Sequence, residues 1–75
     1  MTMKPYKDTD NDSNIKAYNY GEDWIVIRFK DESEYKYTGE NISFYTLKQM
    51  KILADKGDGL NAFINEHKPP YLEKS

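Results

Sequence analysis

Between Ile15 and Thr38 apolar and polar positions alternate, whereas from Phe44 onward apolar residues recur every three or four positions. The first regime predicts strands and the second helices. Lys16, Tyr18 and Tyr20 alternate with Ala17 and Asn19 in a first strand that Gly21-Glu22-Asp23 ends as a turn. Trp24-Ile25-Val26-Ile27-Arg28-Phe29-Lys30 is rich in β-branched and aromatic residues and predicts a second strand. Ile25, Ile27 and Phe29 form one face of it, and Trp24, Val26 and Arg28 form the other. Asp31-Glu32-Ser33 reads as a hairpin connection and Glu34-Tyr35-Lys36-Tyr37-Thr38 as a third strand.

The length of that connection decides what the two tyrosines do. A two-residue loop at Asp31-Glu32 pairs Arg28 with Tyr35 and Val26 with Tyr37, while a three-residue loop sets Phe29 across from Tyr35 and Ile27 across from Tyr37. One residue of slip moves the tyrosine pair to the other face of the sheet. Amphipathicity favours the three-residue loop, which gathers Ile25, Ile27, Phe29, Tyr35 and Tyr37 on one apolar side.

Ser43 is a good N-cap for a helix over residues 44–56, in which Phe44, Leu47, Met50, Leu53 and Ala54 fall at helical spacing. Gly57 closes it as a left-handed C-cap. Asp58 is placed to cap a shorter second helix in which Leu60, Phe63, Ile64 and His67 share a face, until Pro69-Pro70 stops it. Tyr71 then folds back on the core. The predicted fold is α+β: a three-stranded antiparallel β-meander followed by two helices packed on one face. Residues 1–13 show neither periodicity and read as a flexible N-terminal arm, residues 14–72 as one domain, and residues 73–75 as a tail.

Composition narrows the function classes. At 75 residues the chain is one small domain whose core must come from a few large side chains. Aromatics reach 15% through seven Tyr, three Phe and one Trp, so much of the apolar content lies in rings that can be half buried. With no Cys, neither disulfides nor a thiolate metal site supplements the core. The first residues lack the apolar run of a signal peptide, and no stretch approaches the ~18 apolar residues of a membrane span, so a cytoplasmic protein with no membrane partner is the expectation. A net charge of −2 argues against a general polyanion binder. Asp8, Asp10 and Asp12 imitate the start of a calcium loop, but Ser13 stands where the sharp turn needs Gly, and Asn19 where a bidentate Glu should close the site. They read as a solvated acidic arm.

The ordered set of Tyr20, Ile25-Val26-Ile27-Arg28-Phe29, Tyr35-Lys36-Tyr37, a helix from Leu47 to Ala54, Gly57-Asp58-Gly59-Leu60-Asn61-Ala62-Phe63-Ile64 and Tyr71 resembles the KTSC domain. That family takes its name from the C-terminus of some lysyl-tRNA synthetases and also occurs as a stand-alone small bacterial protein. The resemblance spans residues ~13 to 71 and makes Tyr20, Tyr35 and Tyr37 the structural family motif. It departs from the pattern at Glu32, where a turn glycine is usual, and at Gly39-Glu40-Asn41-Ile42, which replaces the usual Val-Pro. What it implies is a nucleic-acid role suggested by the synthetase context, and no chemistry.

No catalytic constellation can be assembled from these residues. His67 is the only histidine, and a lone His on an apolar helix face reads as a packed or rim residue. No cofactor, metal site or small-molecule substrate is expected, and the chain reads as a non-enzymatic binding module. RNA, single-stranded or structured, is the expected ligand, and single strands are held by bases stacking on aromatics with cations beside them. The sheet face opposite the helices offers Trp24, Val26, Arg28, Lys36 and Lys30 for that purpose. The alternative is a protein interface or homodimer contact centred on Trp24 and Val26 of the same face.

Overall fold

The alternation of Trp24-Ile25-Val26-Ile27-Arg28-Phe29 becomes a central strand with Ile25 and Ile27 fully buried and Trp24, Val26 and Arg28 half-buried on the reverse side. The computed structural model describes residues 3–7, 14–40 and 42–74. Five strands, β1 (Lys4–Pro5), β2 (Ile15–Tyr20), β3 (Trp24–Phe29), β4 (Glu34–Thr38) and β5 (Glu73–Lys74), form an antiparallel sheet in that spatial order. Two helices, α1 (Phe44–Lys56) and α2 (Leu60–His67), follow the meander. Leu47, Met50 and Ala54 of α1 and Leu60 of α2 bury against Ile15, Tyr18, Ile25, Ile27 and Tyr37, so both helices cover one sheet face. The α+β meander with two helices is thus present, enlarged by a two-residue strand at each edge. Among the described residues, no helix is long and apolar enough to cross a membrane.

The β3–β4 connection is a three-residue loop, Lys30-Asp31-Glu32. Phe29 N–H donates to the Ser33 carbonyl (2.9 Å), and Glu32 N–H donates to the Phe29 carbonyl (2.9 Å). Ile25 pairs with Tyr37 and Ile27 with Tyr35. The tyrosines therefore lie on the helix side, as amphipathicity requires, but each sits two residues from the expected partner. A two-residue displacement preserves the face because the side-chain period is two. The turn begins one residue early because Asp31 Oδ1 accepts from both the Ser33 N–H (3.0 Å) and the Ser33 hydroxyl (2.6 Å), which draws Ser33 out of the loop. Glu32 takes the left-handed position at φ 73°, where a three-residue hairpin favours glycine.

The helix ends follow local chemistry. Ser43 accepts from the Thr46 N–H (3.1 Å), and Gly57, at φ 76°, donates its N–H to the carbonyls of Leu53 and Ala54. Phe44, expected among the buried spacing of α1, is 65% exposed, because the core stripe starts one turn later at Leu47. The N-cap of α2 is Gly59 at φ 84°, with no side-chain cap from Asp58. The Tyr6 hydroxyl takes that place and accepts from the Leu60 N–H (3.3 Å).

This corrects the expected N-terminal arm. Lys4 and Pro5 pair with Tyr18 and Ala17, Tyr6 N–H donates to the Lys16 carbonyl (3.1 Å), and Tyr6 is only 7% exposed. One ring inserted between sheet and helix orders the segment without any periodicity to announce it. The expected tail is also part strand, since Glu73 pairs with Lys36 and Lys74 with Tyr35. Asp8, Asp10, Asp12 and Ser13 lie outside the described residues.

Two stability measurements check this picture. In urea denaturation, Tyr6→Ala should cost about 3 kcal/mol through lost ring burial, and Tyr6→Phe about 1 kcal/mol through the lost cap at Leu60. Glu32→Gly should raise the thermal midpoint by a few degrees by relieving the left-handed strain, while Glu32→Val should lower it.

Candidate functional site

The alternation of β3 and the register of the hairpin collect Trp24, Val26 and Arg28 with Glu34, Lys36 and Thr38 on the sheet face opposite α1 and α2. Asn19 and Ala17 of β2 extend it beside Val26 and Arg28. Four of the five expected binding residues thus come together. The fifth, Lys30, does not: it sits in the hairpin loop, its N–H donating to the Asn14 carbonyl (2.7 Å), and lines a cleft with Phe29, Tyr35 and Tyr71.

The polar groups of the open face are engaged with one another. Arg28 Nε donates to Glu34 Oε2 at 2.7 Å, and a second guanidinium nitrogen reaches the same oxygen. The Glu34 carboxylate holds the Arg28 guanidinium above its ordinary pKa by hydrogen bonding and charge. Lys36 places its ammonium 5.7 Å from the centroid of the Trp24 ring. The indole lies so close over Gly21 that a Cβ there would come within 2.2 Å of Trp24 Nε1, which explains glycine at that turn. Gly21 N–H donates to the Trp24 carbonyl (3.1 Å) and fixes the approach.

Tyr35 and Tyr37 lie on the other side of the sheet. Tyr37 is buried, and desolvation pushes its hydroxyl up to about 12. Tyr35 is half-buried between Phe29 and Tyr71, edge to face with both. Tyr20 joins a group that was not legible in the sequence. Asp55, on the last turn of α1, accepts from the Tyr18 hydroxyl at 2.7 Å through Oδ1 and from the Tyr20 hydroxyl through Oδ2. The two rings stack with centroids 6.2 Å apart. Lys4 and Lys51 each place an ammonium within 5.6 Å of the Tyr20 ring, and Lys51 also donates to the Glu22 carbonyl. This fork clamps α1 to β2. Only the i,i+2 spacing of the tyrosines hinted at it; their carboxylate lies 35 residues beyond Tyr20.

His67 is exposed, with its ring 4.3 Å from that of Phe63, the rim position expected of it. Among the described residues, no three His, Asp or Glu side chains converge in a way that could hold a metal ion. Comparison of the chain with protein-family models, with curated proteins and with solved structures returned no match.

The Asp55 fork has a pH signature. Hydrogen bonds from Tyr20 and then Tyr18 hold its carboxyl below the ordinary value of 3.8, against the opposing effect of desolvation. The folded state therefore binds this proton less readily than the unfolded chain. Its contribution is complete above the ordinary carboxylate range and is lost as pH falls through the lowered value. Asp55→Asn should cost about 1 kcal/mol at neutral pH, the low end for a charged acceptor because solvent screens it. Urea titrations repeated toward about pH 2 should show that difference shrinking to nothing.

Proposed function

We propose that this chain is a small non-enzymatic binding module of the KTSC type that associates through its open sheet face with a second copy of itself. The observation that carries the reading is the order of side chains along β3. Trp24 and Arg28 stand symmetrically about Val26 on that face. A twofold axis through Val26 would set each Trp24 indole against the Arg28 guanidinium of the other copy, at the face-to-face spacing of about 10 Å usual for packed sheets. An arginine over an indole contributes roughly 0.5 kcal/mol when exposed and about 2 kcal/mol when desolvated. Glu34 and Lys36 supply both signs of charge beside the apolar centre, so the face is complementary to itself.

Single-stranded RNA on the same face is the second reading, and Lys36 is the observation that favours it. Its ammonium over Trp24 could swing to a phosphate while a base took its place on the indole, a stacking contribution of about 1–3 kcal/mol. Arg28, already neutralised by Glu34, and a net charge of −2 weigh toward the protein contact.

Sedimentation equilibrium separates the two. The expected result is a mass rising with concentration toward two chains, abolished by Val26→Glu with an unchanged circular dichroism spectrum and weakened about tenfold by Arg28→Ala. A single-chain mass up to millimolar concentration would sink self-association. Shifts of Trp24 and Lys36 amides on adding a short single-stranded RNA at low salt, lost as salt is raised, would favour the RNA reading instead.

A further inference from the structure

The core stripe of α1 runs through Leu47, Met50 and Ala54, so its opposite positions turn outward. They are not the wholly polar set that a solvated helix face carries. Phe44, Tyr45 and Ile52 are 65%, 72% and 47% exposed, three of the five large apolar side chains left exposed among the described residues. At about 3.6 residues per turn, Phe44, Lys48 and Ile52 fall in one row of neighbours, and Tyr45 and Gln49 begin the row beside it. Between two such rows runs a shallow groove of the kind that receives a ridge of another helix, at a crossing of about −50°.

A single ammonium stands in the middle of the first row. Lys48 is exposed and belongs to neither of the ion pairs found among the described residues, Lys16–Glu32 and Arg28–Glu34. Asp55, near the end of the helix, has both carboxylate oxygens taken by Tyr18 and Tyr20. The row thus reads apolar, cationic, apolar, and its complement is apolar, anionic, apolar at the same spacing. A second copy of this face is a poor complement, because a twofold axis that set Phe44 against the other copy's Ile52 would bring the two Lys48 ammonium groups together. An anionic bilayer is a poor one too. Its charge acts on everything within roughly a Debye length, ~8 Å, and so on the acidic Glu22-Asp23 turn that Lys51 holds against α1 through the Glu22 carbonyl (2.7 Å). A carboxylate carried on a helix ridge is delivered to Lys48 and spares that turn.

We propose that the outer groove of α1 docks an acidic amphipathic helix of a partner protein, in which a carboxylate lies between two large apolar residues, one four positions before it and one four after. The carboxylate meets Lys48, and the apolar residues pack on Phe44, Tyr45 and Ile52. The stretch from Phe44 to Ile52 rises only about 12 Å, which places the contact in the weak, transient class. None of Trp24, Val26 or Arg28 takes part, so the outcome is independent of self-association through the sheet face.

The test is an NMR titration of the isotopically labelled chain with a synthetic alanine-based peptide of about 18 residues, long enough to hold a helix in water. The peptide carries one glutamate flanked four positions away on each side by leucine, and a second peptide carries lysine in its place. Saturable amide shifts confined to residues 44–52 are expected with the glutamate peptide, half-complete at or below about 1 mM, and at least tenfold weaker binding with the lysine peptide. Lys48→Glu should reverse that preference, and Phe44→Ser with Ile52→Ser should abolish binding of either peptide, both with an unchanged circular dichroism spectrum because the side chains are exposed. The absence of shifts at millimolar glutamate peptide would overturn the proposal, as would shifts that ignore the exchange of charge between chain and peptide. Shifts of the same residues with phosphatidylglycerol vesicles and with neither peptide would replace the partner helix with a lipid surface.

Discussion

A tyrosine ring can enter a small core only if its hydroxyl finds a way out, and that requirement organises this molecule. Tyr6, Tyr18 and Tyr37 are buried, and Tyr20 and Tyr35 pack at the core's margin. Where the ring is inserted, the hydroxyl ties down a segment far away in sequence: Tyr6 reaches the first turn of α2, and Tyr18 and Tyr20 reach the last turn of α1. Each such ring contributes apolar burial and a directed bond together. A chain with no cysteine and few large aliphatics can thus hold two helices on a sheet, with the end of α1 and the start of α2 each secured by phenols.

The two surfaces left over differ for the same reason. On the helix side, rings that do not fit entirely under α1 and α2 spill toward the hairpin end, and Phe29, Tyr35 and Tyr71 continue the core into the cleft. On the reverse side, β3 presents its other alternation to neither α1 nor α2. Arg28 and Lys36 there settle on Glu34 and Trp24, the nearest groups of opposite character. The face is therefore close to neutral locally, and what distinguishes it is its apolar middle at Val26 and Trp24.

Much of this was legible along the chain because it depends on local repeats. The three long strands, both helices, Ser43 and Gly57 follow from alternation, helical spacing and capping chemistry. The side on which Tyr35 and Tyr37 lie was legible as well, since burial selects a face even when the pairing is off by an even number of residues. The pairing itself was not, because it turned on one Asp31 to Ser33 contact inside the loop. With it went the Arg28–Glu34 pair, which requires the register to be known. The edge strands escaped for another reason: two residues are too few to carry a period. Asp55 escaped because nothing in α1 marks which carboxylate will meet a phenol from β2.

The edge strands differ in how far the chain must travel to make them. β1 pairs with a neighbour a dozen residues away, but β5 returns to β4 only after both helices, so Lys74 meets Tyr35 across an interval of thirty-nine residues. Closing so long an interval for two residues of pairing yields little in return for its entropy. The sheet's last partner should therefore arrive after the meander and helices have formed, and leave first when the native state breathes. Tyr71 rides on that same returning segment. The ring that terminates the aromatic run is thus mounted on the part of the fold that opens most readily, and the cleft would exchange between an assembled and an unassembled form without disturbing the core beneath it.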